Sequence, residues 1–286
     1  MAHFEETAIG YKAIFQKTFN ETGGGARDHA TLVESNDLSE KYAWLGNFPN
    51  MKEWIGDRDV QALQDFGYYL ENKLFEASIT VPNLHIQYDK IGIYKPAIQQ
   101  MAMDAKQFGG ELVANVKIDG ETGLCYDGET FFSANHTVGT DTYANLSLGE
   151  LNEANLLAGI EYMMSIKTAK GKSLKIKPNK LSAGPTQFST LKKLIDAPTL
   201  ANGEANPCYK IVEFEILPEI TDASWYLEDH TKAIKPYILQ VAIDGKFEAS
   251  NDDKFMKDAA LFGTKSFMNA GYGLWQLAMK FSGTPA

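Results

Sequence analysis

The residues of this chain whose types suit chemistry are spaced so that each motif stops short of a working site. Gly171-Lys172-Ser173 carries the end of a phosphate-binding loop. The complete loop has a glycine five positions before its Gly-Lys pair, so that bare backbone can wrap the phosphates. Ile166 stands at that position, and the segment before it is patterned as helix rather than strand. A surface turn accounts for the motif. Gly271-x-Gly273 meets Gln276 where a dinucleotide-binding turn has its third glycine, and too little chain follows for a crossover unit. Asp252-Asp253 offers two carboxylates for metal or acid-base work, yet neighbours on a strand point to opposite faces. The five histidines, His3, His29, His85, His136 and His230, show no pair at the helical spacing that builds zinc sites. His136, beside Asn135, reads as a satisfied, partly buried histidine at a turn rather than a base. No Gly-x-Ser-x-Gly elbow presents a serine nucleophile. Cys125 and Cys208 form no Cys-x-x-Cys pair and read as free thiols in a reducing cytoplasm. These spacings predict no catalytic residue, no cofactor site and no metal site.

With no reactive centre to position, the elements themselves carry the information. From Trp54 to Asn115 a polar-apolar ribbon runs into one isolated amphipathic helix. The ribbon holds Phe66, Tyr68, Tyr69, Leu74, Phe75, Ile79 and Val81 in loose alternation, the pattern of extended strand. The helix opens at Pro96, a residue suited to a first turn, and puts Ile98, Met101, Ala102, Ala105, Phe108 and Leu112 on one stripe. About twenty residues give a rod of roughly 30 Å. A lone hairpin does not stabilise itself in water, so a rod with a projecting ribbon is the signature of a part that touches neighbours.

Residues 1–50 are poorly periodic, with helical spacing at Ile9, Ala13 and Phe19 before Gly23-Gly24-Gly25 interrupts. They read as a mobile arm that orders only against something else. Tyr42, Trp44, Leu45, Phe48 and Trp54 follow as an aromatic cluster. Further on the pattern predicts a hairpin turn at Asp127-Gly128 and a helix starting at Ser147 with Glu150 completing a capping box. Strands are expected at 174–181, 209–217, 225–227 and 238–243, a short helix at 186–196, and an apolar tail that pairs in a sheet. The expected class is α+β with segregated elements.

The chain of 286 residues is 44% hydrophobic and 12% aromatic, enough for a real core. Its formal net charge of -10 argues against coating nucleic acid over its whole surface. No apolar run reaches bilayer-spanning length, and the first residues carry no secretory pattern. Charge is unevenly spread. Between Glu161 and Asp196 there is no acid, whereas Lys167, Lys170, Lys172, Lys175, Lys177, Lys180, Lys192 and Lys193 all fall there. The stretch 204–229 is the reverse, with Glu213, Glu215, Glu219, Asp222, Glu228 and Asp229. Two solvated faces explain this. So do patches that meet across a subunit boundary, where complementary potentials fix register, and DNA contact by the lysines is a third reading.

Several blocks carry a family likeness. They are Trp44-Leu45-Gly46, Trp54-Ile55-Gly56-Asp57-Arg58, Phe75-Glu76-Ala77-Ser78-Ile79-Thr80-Val81-Pro82 and Asp89-Lys90-Ile91-Gly92-Ile93-Tyr94. Tyr126-Asp127-Gly128-Glu129-Thr130-Phe131-Phe132, Asn135-His136 and Ile176-Lys177-Pro178-Asn179 continue the series. Together, in this order, they resemble the major capsid proteins of tailed bacteriophages with the Hong Kong 97 capsid fold, and within these the Mu-like major head subunit family. The resemblance implies an N-terminal arm at 1–54, an extended loop over the adjacent subunit at 55–91, a peripheral domain at 92–146 and 243–286 with the rod as spine, and an axial domain at 147–242. It implies a structural protein that assembles with itself through hexamers and pentamers into an icosahedral shell around phage DNA. The DNA is enclosed without sequence recognition, no membrane is involved, and scaffold, portal and decoration proteins are the further partners. Assembly is expected in the host cytoplasm and residence in the virion capsid. The subunit-interface candidates are Trp54, Arg58, Phe66, Tyr68, Tyr69 and Phe75 on the ribbon, with Lys172, Lys175 and Lys177 opposite Glu213 and Glu215.

Two alternatives stay beside this. An encapsulin-like compartment would hold cargo enzymes instead of a genome. A cytoplasmic two-domain hydrolase would need His136, Asp127 and Asp252 brought into one pocket.

Overall fold

The computed structural model describes residues 2–46, 67–88, 90–200, 202–251 and 258–283. Trp54, Arg58, Phe66 and the pair Asp252-Asp253 lie outside the described residues. The class is α+β. The chain opens with helix α1 (Ala2–Glu21), a 3-10 turn at Gly25–His29, and strands β1 (Ala30–Glu34) and β2 (Ser39–Lys41). Strands β3 (Tyr69–Glu71) and β4 (Lys73–Pro82) lead through short α2 (Asn83–Gln87) into the long helix α3 (Lys95–Ile118). Strands β5 (His136–Val138), β6 (Asp141–Tyr143) and β7 (Leu146–Leu148) precede α4 (Glu153–Ser165), β8 (Lys180–Ala183) and α5 (Phe188–Leu191). The order closes with β9 (Glu213–Ile216), β10 (Trp225–Glu228), the long strands β11 (Tyr237–Ser250) and β12 (Ala259–Tyr272), and β13 (Ala278–Ser282).

Helix α3 is the expected rod. Its 24 residues begin with Pro96 in the first turn and bury Ile98, Met101, Ala102 and Ala105, while Phe108 and Leu112 are partly buried against the larger core. The rod lies against a four-stranded sheet of order β1-β11-β12-β4. The ribbon residues 73–82 occupy its edge, pairing antiparallel with β12 from Lys73↔Met268 to Pro82↔Ala259. One face of that strand is covered, with the Phe75 ring tilted against Phe108 of the rod at 4.5 Å and Val81 buried. The other face is open, and Leu74 is 67% exposed. A second sheet, of order β7-β13-β10-β8-β9, forms the other half of the molecule. Trp225 of β10 stacks flat on Phe281 of β13, with centroids 3.9 Å apart, at its centre.

Several sequence expectations change, among them the strand expected at 209–217, which is formed only over Glu213–Ile216. Residues 2–21 form a regular helix docked on the same chain instead of a loose arm. The docking stripe is Phe4, Tyr11 and Phe15, which meet Phe262 and Phe247 at 5.0–5.9 Å, whereas Ile9, expected on it, is 70% exposed. The second helix starts at Glu153, with Asn152 as its cap accepting from the Asn155 N–H at 2.9 Å. Ser147 is unavailable as a cap because β7 takes it into register with Phe281. The strand expected at 174–181 is ordered pairing only from Lys180 to Ala183.

Glycine governs where the chain after α1 crosses the rod. A Cβ on Gly110 would stand 2.6 Å from the Gly24 carbonyl oxygen and 2.8 Å from the Ala26 nitrogen, both backbone atoms. Arg27 then locks the crossing with two hydrogen bonds to Asp244 of β11, at 3.1 and 3.0 Å. Gly110→Ala is therefore expected to lower stability by about 1–3 kcal/mol, the usual cost of overpacking, despite the better helix propensity of alanine. Gly10→Ala in α1, where the added methyl has nothing within 4 Å, is expected to raise it by about 0.5–1 kcal/mol. Urea unfolding of the two variants checks the pair, and equal signs would contradict the close crossing.

Candidate functional site

Several parts of the chain converge on one buried charged cluster. Val113 and Ala114 continue the buried stripe of α3, and one turn further on the same face is Lys117, wholly buried. A lysine on an apolar stripe must bring its charge into the interior, where it has to be paired. The partner is Glu228, the last residue of β10, whose side chain is equally inaccessible, at 2.9 Å from Lys117 Nζ. The ammonium also donates to Ser182 Oγ of β8 at 3.0 Å and lies 2.9 Å from His29 Nδ1. The rings of Tyr226 and Tyr237 flank it at 5.7 and 5.5 Å. Glu228 completes its shell with His230 Nε2 at 2.8 Å and the Tyr237 hydroxyl, which donates at 3.0 Å.

The charges follow from these contacts. Burial alone would raise the Glu228 pKa, but Lys117, the hydrogen bond from His230 and the nearby His29 hold it well below the usual carboxylate range. Burial draws the Lys117 pKa down from its ordinary value while Glu228 opposes. The Tyr237 phenol is raised by burial and then by Glu228, so it stays a donor. His29 has its pKa lowered by burial and by Lys117. Its Nε2 lies 2.7 Å from Glu215 of β9, and this bond holds Glu215 below its ordinary value.

The Lys177-Pro178-Asn179 block seats the cluster from below. The Lys177 N–H donates to Asp229 at 2.7 Å, Asn179 accepts from the His230 N–H at 2.8 Å, and the Asn179 N–H donates to the Glu228 carbonyl at 2.9 Å. His29, Glu228 and His230 place ligand atoms within 4.8 Å of one another, as a metal site would. The Lys117 ammonium contacts two of the three, His29 Nδ1 and Glu228, each at 2.9 Å. The cluster carries its own cation.

Of the residues singled out from sequence, Glu215 and Lys177 border the cluster and most of the others fall elsewhere. His136 is fully buried, stacked on Trp275 at 4.0 Å, with its nitrogens 2.6 Å from Asp127 and 3.2 Å from the Phe131 carbonyl. Sealed in this way it braces a loop, and no substrate reaches it. Tyr68 turns inward, its hydroxyl accepting the Tyr272 N–H at 2.8 Å, while Tyr69 is 59% exposed. Lys172, Lys175 and Lys177 are exposed. Glu213 is exposed and paired with Lys180 across the β8–β9 register at 2.6 Å. Glu215 borders a cleft of about 430 Å³ that Asp104, Glu111 and Glu219 also line. The buried cluster itself escaped sequence reasoning. Its one legible signal was Lys117 continuing the apolar stripe of the rod.

A family model described as Mu-like prophage major head subunit gpT matches residues 4–150, 142–220 and 215–284. The chain is 27% identical over 279 residues to the Mu-like prophage FluMu major head subunit of Haemophilus influenzae, covering 96% of this chain and 71% of the relative. It is 27% identical over 288 residues to the major capsid protein of Escherichia phage Mu, covering 97% and 75%. Among solved structures, a chain of the procapsid of bacteriophage JBD30 is similar at 26% identity and a TM-score of 0.59, over 96% of this chain and 73% of that one. A chain of the virus-like particle from Pyrococcus furiosus shares the fold alone, at 11% identity and a TM-score of 0.54 over 98% and 100%.

The buried pair generates a double-mutant prediction. Lys117→Met and Glu228→Gln each leave one charge without its counterion, a loss of about 3–5 kcal/mol. In the double variant no unpaired charge remains, and the glutamine oxygen accepts from one of His230 and Tyr237 while its NH2 donates to the other, so the combined loss is expected to fall short of the sum by at least about 1 kcal/mol. Guanidinium unfolding of the three variants measures this, and strict additivity would contradict the pairing.

Proposed function

The chain belongs to the Mu-like prophage major head subunit gpT family, and on that premise we propose how its parts divide the work of building a shell. It is a structural head protein with the Hong Kong 97 capsid fold, a component of the virion capsid and not an enzyme. The family match favours this reading over the two alternatives, the encapsulin-like compartment and the hydrolase. The finer assignments are ours. Subunits join as hexamers and pentamers and close an icosahedral shell around phage DNA, assembling in the host cytoplasm with scaffold, portal and decoration proteins. Residues 1–54 serve as arm, 55–91 as the loop over the adjacent subunit, 92–146 and 243–286 as peripheral domain, and 147–242 as axial domain.

The observation that supports the loop assignment is a run of large apolar side chains left bare on one stretch. Tyr69, Leu74, Leu84, Tyr88 and Ile93 are each between 55% and 71% exposed. Large apolar side chains left bare this close together in sequence suit an interaction surface, and in a self-assembling protein their natural cover is another copy. The open face of β4 and the start of α3 would then be completed by the neighbour. The exposed Lys172, Lys175 and Lys177 would meet the acidic edge formed by Glu213 and Glu215 of the adjacent subunit, which sets register more than affinity. A net charge of -10 suits a container wall that encloses DNA without gripping its phosphates.

Negative-stain imaging of the expressed chain is expected to show rings or closed shells, and a monodisperse monomer at high concentration would overturn the reading. Lys172→Glu combined with Lys177→Glu is expected to keep the thermal midpoint of the subunit within a few degrees, since surface changes cost about 0.5 kcal/mol or less, while sharply reducing shell yield. Shells at normal yield would remove these lysines from the interface.

A further inference from the structure

We propose that His29, Lys117, Glu215, Glu228 and His230 form an acid-released latch that fastens the arm and the five-stranded sheet to the spine helix. The geometry makes His29 the trigger. Lysine has only hydrogens to give and an ionised glutamate only lone pairs, so the partners of His29 fix its tautomer. Nδ1 accepts from Lys117 Nζ at 2.9 Å, and Nε2 donates to Glu215 at 2.7 Å. A second proton on the ring has to sit on Nδ1. There it would set two donors against each other at hydrogen-bonding distance, so it is accepted only once His29 and Lys117 have moved apart.

Among the described residues, four charged or titratable groups face His29. Helix α3 presents Lys117, β9 presents Glu215, and β10 presents Glu228, whose Oε2 is 3.5 Å from Nδ1. The segment after β10 presents His230, its ring 4.7 Å from that of His29. Glu219 acts on Lys117 and Lys180 acts on Glu215 at longer range. Protonating His29 thus adds a cation beside Lys117 and disturbs the contacts of both with Glu228. The 3-10 turn that carries His29 runs directly into β1, so its release loosens the arm where it crosses the spine.

The sign of the pH effect follows. Burial and Lys117 hold the His29 pKa below its ordinary value, so the opened or unfolded chain takes up the proton more readily than the closed one. The latch holds in full above the ordinary histidine range near pH ~6.5 and weakens as pH falls through it toward the depressed value. These contacts lie within one chain, so failure of the latch leaves the head-subunit reading standing.

Hydrogen exchange of the full chain, free and assembled, at about pH 7.5 and 5.5 tests this against His29→Gln, which cannot titrate. Corrected for intrinsic rates, protection of residues 25–34 in the natural protein is expected to fall on acidification, by up to about tenfold between these two pH values. It should hold in His29→Gln, with residues 259–264 unchanged in both. Equal losses in the two proteins, or none in the natural one, would overturn the latch. Should His29→Gln not fold, the imidazole carbon titration of His29 in the natural protein decides. A depressed midpoint coinciding with loss of arm protection supports the latch, and an ordinary midpoint with protection intact refutes it.

Discussion

A carboxylate taken wholly out of water has to be surrounded by donors, and at Glu228 that requirement ties the chain together. Its donors are Lys117 from the rod, His230 from the segment after β10, and Tyr237 from β11. His29, from the arm, and Ser182, from β8, take the remaining contacts of the ammonium. Removing any one partner leaves a buried group without its counterpart, which is costly. Such a network adds less to net stability than an apolar core would, and its better-attested benefit is a single defined arrangement. Here it selects one way for the spine, the arm and the five-stranded sheet to meet.

Around that junction the two sheets play different parts. The four-stranded sheet is a platform whose inner face takes α3 and α1 through Phe75, Phe247 and Phe262. Its outer face carries charge, with Lys265 pairing with Glu248 at 2.6 Å. The five-stranded sheet is more deeply buried, and all four residues of β10 are inaccessible. A shell subunit needs both, a rigid centre that does not shear and an outer rim left open for other copies. Leu74, bare on the rim, and Phe75, one residue on and packed against the rod, show the division at the scale of a single strand.

Much of this was legible in the sequence because it is local. Pro96 and the stripe from Ile98 to Leu112 define the rod without reference to anything else, and the alternation around Phe75 defines the ribbon. Stacking on Trp275 explains why His136 needs no solvent. What the sequence hid is non-local or competitive. The docked stripe of α1 is three aromatics separated by charged residues, and only the presence of Phe247 and Phe262 selects them over Ile9. Ser147 and Glu150 satisfy a capping box on paper, but pairing with β13 takes Ser147 first. His29 and Lys117 stand 88 residues apart, so no spacing rule joins them. Lys117 stands at the end of the rod, and only its place on the buried stripe distinguishes it from a surface charge.

The most direct measurement is a map of the assembled shell at a resolution that shows side chains. The account predicts Lys117 Nζ within hydrogen-bonding reach of Glu228 and His29 in every subunit environment, with no separate ion between His29, Glu228 and His230. A lysine turned out to solvent, or a metal ion seated among those three residues, would contradict it.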